Sequence, residues 1–203
     1  MLKNKFGRRA VQAVVGAALF VSASSYSAVL TTYTSRAAWA TAAASALSTE
    51  DFADATLAPG LSTANGSIGG VFSGTANTQF NDGGNPRWNF APGSAAVGAD
   101  FDFTPGGAGD GVIFAITFAD NSLGSAFLGN PVGGIFQGFF GFVSDVAITA
   151  IRFDSPFTGV ENFNADDLQF AVAGGGTVPE PGTLALTGLA LLSGLFARRR
   201  RPK

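Results

Sequence analysis

The stretch "GVIFAITFA", residues 111–119, decides the fold class of this 203-residue chain. Its larger apolar residues recur at every second position, as they do in a strand that buries one face. That face consists of Val112, Phe114, Ile116 and Phe118. The segment therefore predicts a half-buried β-strand.

Short segments of the same kind lie on both sides of it, separated by Gly, Asn, Asp and Pro turns. Clear strands are predicted at residues 94–103, 136–144, 146–154 and 167–172, and weaker ones at 29–34, 49–53, 67–74 and 87–91. In the segment 94–103, Asp100 and Asp102 face one way while Phe101 and Phe103 face the other. This alternation predicts a strand with one buried face and one wet acidic face.

One helix is predicted, at residues 35–46 with the sequence "SRAAWATAAASA". Ser35 is a good N-cap and alanine has the highest helix propensity, so we expect Trp39 to anchor this helix against the sheet. The segments between the other strands carry no helix pattern, although parallel strands would need crossover helices. The body is therefore expected to be all-β: an antiparallel β-sandwich or jelly roll with one short N-terminal helix.

The first 28 residues have the pattern of a secretory signal peptide. The basic residues Lys3, Lys5, Arg8 and Arg9 precede an apolar stretch at 10–22, and small residues follow up to Ala28. Cleavage after Ser27 and cleavage after Ala28 both fit the small-residue segment. The apolar stretch is short for a retained membrane anchor.

The secreted body, expected at residues 29–172, is strongly acidic. From residue 28 to residue 177 the chain has three basic and thirteen acidic residues, a formal charge of about −10, whereas the whole chain carries −2. Such a body repels phosphate backbones, which argues against nucleic acid as a partner. The chain also has no Cys and no His, which excludes Ser-His-Asp and Cys-His catalysis and argues against a zinc site.

The C-terminal end has three parts in a fixed order after a short linker at residues 173–177. Val178, Pro179, Glu180 and Pro181 form a motif that resists helix and strand, and residues 182–197 then carry no charge. As a helix this run is about 24 Å long, against about 30 Å for the hydrocarbon core of a bilayer. It predicts a single transmembrane-type helix that is marginal as a permanent anchor. The closing arginines, expected on the cytoplasmic side, are Arg198, Arg199, Arg200 and Arg201.

Residues 178–203 resemble the PEP-CTERM protein-sorting domain, a tail that is also called the ice-binding protein C-terminal domain. The resemblance rests on the Val-Pro-Glu-Pro motif, the apolar run and the arginine cluster, in that order. It implies an exported protein of a Gram-negative bacterium that makes exopolysaccharide. It also implies secretion machinery and an exosortase as partners, with recognition near Pro179–Pro181 and a transient stay in the inner membrane.

The body resembles the secreted domains that usually precede such tails. The resemblance is carried by "TYTSRAAWATA", "EDFADAT", "GFFGFVSDVAITAIRF" and "FNADDLQFAV", which begin at residues 32, 50, 138 and 163. These domains are similar to lectin-type β-sandwiches, in which a structural Ca²⁺ often bridges an early strand and the last one. The matching carboxylates here are Glu50, Asp51, Asp166 and Asp167. Paired carboxylates suit calcium, but solvated turn residues explain the same pattern, and no cofactor is required.

Two features bear on sugar chemistry. Trp88, in "NPRWNF", is the candidate for stacking on a sugar ring, and a place in the core is the alternative. A glycosidase would need two carboxylates about 5 to 10 Å apart, and no pattern in the sequence localises such a pair. The chain is therefore not expected to be an enzyme.

Together these observations predict an exported cell-surface or extracellular-matrix protein, sorted by its C-terminal tail and non-catalytic, that associates with exopolysaccharide. The alternatives are a carbohydrate-active hydrolase with an acidic pair and a structural or adhesive protein of a biofilm matrix.

Overall fold

A computed structural model of the chain describes residues 28–77, 84–106, 111–129, 136–156 and 159–172. Within these residues the chain forms ten strands and one helix. In chain order they are β1 Leu30–Tyr33, α1 Arg36–Ala43, β2 Leu47–Glu50, β3 Leu61–Ala64, β4 Ser67–Ile68, β5 Phe72–Asn77, β6 Arg87–Asp102, β7 Val112–Phe118, β8 Leu123–Leu128, β9 Gln137–Asp154 and β10 Val160–Val172.

The strands form one hydrogen-bonded sheet in the order β4-β5-β10-β6-β9-β7-β8. Three short strands join this path from the side: β1 pairs with β9, β2 with β10 and β3 with β6. Each of these strand pairings is antiparallel. The predicted antiparallel β-fold with one short helix is thereby confirmed for the described part of the chain.

The long strand β6 bends back over the core. Trp88 and Phe101 are thirteen positions apart on it, which is about 43 Å in a straight strand, yet their ring centroids are only 6.0 Å apart. The bend lies between Asn89 and Ser94, where β6 advances five residues while its partner β9 advances two. Gly93, with φ +132°, supplies a backbone conformation there that other residues rarely adopt.

Strand β9 bends in the same way. The rings of Phe140 and Phe153, at its two ends, lie 5.3 and 5.5 Å from the ring of Phe114 on β7. Prediction divided this segment into strands 136–144 and 146–154, whereas the structure has one continuous strand. The hydrogen-bonded pairing of β9 with β6 shifts register near Ser144 and then continues, so β9 bends there without a turn.

The core is aromatic and lies on the concave side of the bent sheet. Trp88 sits at its centre with its ring 4.7 Å from Phe153 and 5.6 Å from Phe72. The predicted inward face of β7 is confirmed, because Val112, Phe114, Ile116 and Phe118 are all buried. Burial of each such side chain stabilises the fold by about 1.5–3 kcal/mol.

Helix α1 packs on the sheet as predicted. Ser35 is its N-cap and accepts a hydrogen bond from the Ala38 N–H, and Trp39 is fully buried. The indole N–H of Trp39 donates to the Phe142 carbonyl oxygen at 2.9 Å. The helix ends at Ala43, three residues before the predicted end, because Ala44 takes a left-handed conformation with φ 48°.

Among the described residues, no helix is long and apolar enough to cross a membrane. The predicted signal peptide, except for Ala28, lies outside the described residues, as do the linker 173–177 and the whole tail 178–203 with its transmembrane-type segment 182–197.

Candidate functional site

A row of polar side chains crosses the outer face of the sheet over four neighbouring strands. The row joins Ser73 on β5, Asn164 on β10, Asp102 on β6 and Gln137 on β9, each directly opposite the next. Side chains directly opposite one another in an antiparallel sheet point to the same face. The row is therefore a continuous polar strip across the sheet.

Two asparagine amides in this region are held in place by hydroxyl groups. The Ser73 hydroxyl donates to Asn164 Oδ1 and the Thr75 hydroxyl donates to Asn162 Oδ1, both at 2.7 Å. The two asparagines are two positions apart on β10, so they share a face and lie about 7 Å apart. Their amide nitrogens make no hydrogen bond to the described residues, which leaves oriented N–H donors free for a ligand.

Carboxylates lie beside these amides. Asp100 is directly opposite Asp166, and Asp102 is two positions farther along the same strand. Asp100 is ion-paired with Arg36 at 3.0 Å. The predicted acidic face of residues 94–103 is thus confirmed, because both aspartates remain partly exposed while Phe101 and Phe103 are buried.

Asp102 is the most strongly hydrogen-bonded carboxylate of this face. Its oxygens accept from the Thr104 N–H at 2.8 Å, the Thr104 hydroxyl at 2.9 Å and the Gln137 amide at 3.1 Å. Burial raises the pKa of Asp102, but these hydrogen bonds outweigh it and hold the pKa below its usual range. The side chain is therefore an ionised acceptor at neutral pH.

Two adjoining depressions follow this strip, and we call them together the polar groove. One of about 550 Å³ is lined by the hydroxyl and amide groups of β5 and β10, and one of about 480 Å³ by the carboxylates and Gln137. Asn164 lines both of them. Each volume lies within the range of small-ligand sites in proteins.

The four carboxylates predicted for calcium lie on two paired strands: Glu50 ends β2 and Asp51 follows it, whereas Asp166 and Asp167 lie in the middle of β10. Glu50 on β2 is in register with Leu168 on β10, one residue beyond Asp167. The carboxylate of Glu50 is buried, however, and its two oxygens accept from the Phe52 N–H at 2.7 Å and the Ala58 N–H at 2.5 Å.

Two other members of that set, Asp51 and Asp166, also bind nearby backbone. Asp51 accepts from the Ala53 N–H, and Asp166 accepts from the N–H of Asp167. No group of three potential metal-ligating side chains occurs in the described ranges. The structure therefore brings the two acidic pairs near each other but shows local turn and loop roles for Glu50, Asp51 and Asp166.

The structure corrects the prediction that Trp88 stacks on a sugar. Trp88 is 1% exposed and is surrounded by phenylalanines of the core, so neither face of its ring is open to a ligand. The other tryptophan on the described chain, Trp39, is 0% exposed. Any sugar contact on the described surface must therefore rely on groups other than indole rings.

The polar groove itself was not predicted as a site. A local signal existed in β10, where Asn162, Asn164 and Asp166 alternate with apolar residues. The signal is ambiguous because a solvated strand face has the same alternation. Only the pairing of β10 with β5 and β6 shows that these side chains meet other polar groups.

Comparison with known families finds a match in the C-terminal tail. The family model described as "PEP-CTERM protein-sorting motif" matches residues 177–201. The search of curated proteins and the search of solved structures return no match. The chain thus carries the sorting motif predicted from its C-terminal sequence. The matched residues include Val178–Pro181 and Arg198–Arg201, which all lie outside the described structure.

The motif defines the class of protein. It implies a protein that is exported and then processed at the membrane by an exosortase. The match is confined to the tail, so the function of the body must be argued from the body's own residues.

Proposed function

We propose that this chain is an exported, non-catalytic polysaccharide-binding protein whose polar groove binds the hydroxyl groups of exopolysaccharide. The observation that carries this proposal is the pair of oriented amides, Asn162 and Asn164, next to the ionised carboxylate of Asp102. A sugar hydroxyl both donates and accepts hydrogen bonds. A groove with amide donors beside carboxylate acceptors suits that chemistry.

The charge of the groove selects among polysaccharides. Asp100, Asp102 and Asp166 line it, and Arg36 offsets only the charge of Asp100. The groove therefore repels anionic chains and favours neutral ones.

Four of the described carboxylates support a binding role over hydrolysis. A glycosidase needs one carboxyl group that stays protonated at working pH, which requires a raised pKa. Hydrogen bonds hold the pKa of Asp102 and the pKa of Asp120 below the usual range, so neither carboxyl group is protonated at neutral pH. The two glutamates on the described chain are buried, which keeps their carboxyl groups from contacting a polysaccharide. Glu50 also accepts hydrogen bonds from two backbone N–H groups.

The tail determines the destination in this proposal. The exosortase recognises Val178–Pro181 while residues 182–197 stop in the inner membrane and Arg198–Arg201 stay on the cytoplasmic side. Processing then releases the body, a bent sheet of the sandwich class, to the cell surface or the extracellular matrix of a Gram-negative bacterium. A structural Ca²⁺ near Glu50 and Asp166 remains part of the proposal, so binding is measured with and without calcium.

The groove is tested with the full chain in mild detergent by affinity electrophoresis through gels that contain neutral or acidic exopolysaccharides. The double variant Asn162→Ala/Asn164→Ala loses two hydrogen bonds at about 1 kcal/mol each, so we expect affinity for a neutral polymer to fall about 30-fold. Asn89→Ala is the matched control, because Asn89 is a partly exposed asparagine on β6 outside the groove. Equal retardation of all three proteins would rule out the groove. Absence of retardation by any polymer would favour the structural matrix protein instead.

The tail is tested in the native host by deletion of residues 178–203. We expect the intact chain to reach the surface with a shortened C-terminus, which mass spectrometry of the mature protein measures. The deletion variant is expected to bypass the membrane step and to appear in the medium. If both proteins reached the same place in the same processed form, the tail would not direct sorting.

A further inference from the structure

A second row of side chains, on the part of the sheet built by β6, β9, β7 and β8, gathers two of the body's three basic residues. Arg87 on β6 is directly opposite Arg152 on β9, Arg152 is opposite Ala115 on β7, and Ala115 is opposite Ser125 on β8. The row therefore begins with two arginines side by side and continues over small side chains.

The two arginines differ in their partners. Arg152 holds Asp154 through two hydrogen bonds of 2.8 Å, one from Nε and one from Nη2. Arg87 is partly buried and makes neither a hydrogen bond nor an ion pair to the described residues. Like charges directly opposite each other in a sheet are unfavourable. Among the described residues, the charge of Arg87 therefore has no ionic partner, although the body as a whole is acidic.

A depression of about 380 Å³ lies along this row, and we call it the basic groove. Its floor is made of small residues, Ala115, Gly124 and Ala150, and the largely exposed Leu123 forms one wall. The hydroxyl-bearing residues Thr117 and Ser125 line it as well. A charged end, a flat floor and hydroxyl groups together suit a small ring that carries one acidic group.

We propose that the basic groove binds a carboxylate-bearing ligand of sugar-ring size, such as a uronic acid unit of an acidic polysaccharide. The guanidinium group of Arg87 is a planar fork that matches a planar carboxylate through two parallel hydrogen bonds. One carboxylate neutralises the charge of Arg87 and relieves the repulsion between Arg87 and Arg152. The ring then lies over Ala115 and Gly124 against Leu123.

This site is separate from the polar groove, and the opposite charges of the two grooves assign them different ligands. The carboxylates of the polar groove favour neutral sugars, whereas the basic groove takes an anionic one. A protein with both sites would hold a neutral and an acidic segment of polysaccharide together.

Isothermal titration calorimetry of the full chain in mild detergent tests this proposal. The probes are oligogalacturonate and its methyl ester, which has the same sugar backbone without the charge. We expect the free acid to bind and the ester to bind at least about tenfold more weakly. Arg87→Gln is expected to lower affinity for the free acid about 10- to 100-fold, because hydrogen bonds to a charged group are lost. Arg87→Lys, which keeps the charge but not the fork, should recover only part of the affinity.

The matched control is Arg36→Gln, which makes the same change of charge at the third arginine of the body, where Asp100 is the partner. Thermal unfolding verifies that each variant is folded. Equal loss of affinity in the Arg36 and Arg87 variants would reduce the effect to net charge and overturn the proposal, as would equal binding of acid and ester. Inorganic phosphate that competes more strongly than galacturonate would overturn the assignment to a carboxylate. The Asn162→Ala/Asn164→Ala variant should keep its affinity for oligogalacturonate, so failure of one groove is distinguishable from failure of the other.

Discussion

Replacement of each tryptophan by phenylalanine should affect stability very differently, although both tryptophans are buried. Trp39 and Trp88 are 0% and 1% exposed, so the loss of ring size is similar in Trp39→Phe and Trp88→Phe. Their indole nitrogens are not equivalent. Trp39 Nε1 donates to the Phe142 carbonyl oxygen, whereas Trp88 Nε1 meets no acceptor among the described residues.

The difference in the free energy of unfolding follows from these two nitrogens. Trp39→Phe removes a satisfied hydrogen bond, which costs about 0.5–1.5 kcal/mol. Trp88→Phe removes a buried donor without a partner, which relieves a desolvation penalty of about 1–3 kcal/mol. Because the cost of the smaller ring is similar in both variants, Trp39→Phe should be the less stable one by about 1.5–4.5 kcal/mol. For a domain of about 150 residues that is a difference in Tm of at least about 3 °C.

Urea and thermal unfolding followed by far-UV circular dichroism measure this difference, since each variant has lost one of the two fluorescent tryptophans. Wild-type protein is the reference, and both variants must give the wild-type spectrum before unfolding. If Trp88→Phe were as destabilising as Trp39→Phe, the indole N–H of Trp88 would have to be satisfied in solution. The assignment of the two hydrogen-bonding environments would then be refuted.

Three further predictions concern single residues. Gly111→Ala should destabilise the protein by more than about 1 kcal/mol in urea unfolding. Gly111 has φ +94°, and an added Cβ would overlap the Leu128 carbonyl oxygen. Unchanged stability would contradict that packing. Glu50→Gln should lower the free energy of unfolding by about 1–3 kcal/mol, because one of the two carboxylate oxygens that accept backbone N–H groups becomes an NH₂ donor. An unchanged urea midpoint would argue against the role of Glu50 as an acceptor of these two hydrogen bonds. The depressed pKa of Asp102 contributes stability that is present above the usual carboxyl pKa and is lost as pH falls through the folded-state pKa. Wild type should therefore lose more stability than Asp102→Asn between pH 5 and pH 3. Parallel losses in the two proteins would show that Asp102 is not the source of the pH dependence.

Local sequence patterns predicted the elements that have a clear period. The alternation around Phe114 located β7 and its buried face, and Ser35 and Trp39 located the start and the anchor of α1. Two strands were not predicted, β3 and β8. Strand β8, "LGSAFL", has little alternation of apolar and polar residues because it lies at the end of the sheet path with Leu123 and Phe127 exposed. Its place as a strand depends on pairing with β7.

The candidate sites were harder to predict, because their residues come from distant parts of the sequence. Arg87 and Arg152 are adjacent only because β6 pairs with β9, and Asn164 meets Ser73 only because β10 pairs with β5. Trp88 is a different case. The sequence left sugar stacking and a place in the core open, and the bend of β6 places the ring in the core.

The sequence by itself determined the antiparallel β-class, the single helix, the acidity of the body and the sorting motif of the tail. These features are local or compositional: a period of two, an N-cap, a count of charges and an ordered motif can each be recognised without knowledge of the contacts. Tertiary structure alone decided the bends of β6 and β9, the burial of Trp88 and the two grooves of opposite charge. The physical reason is that cross-strand register joins residues far apart in the chain, and local periodicity carries no information about which strands become neighbours.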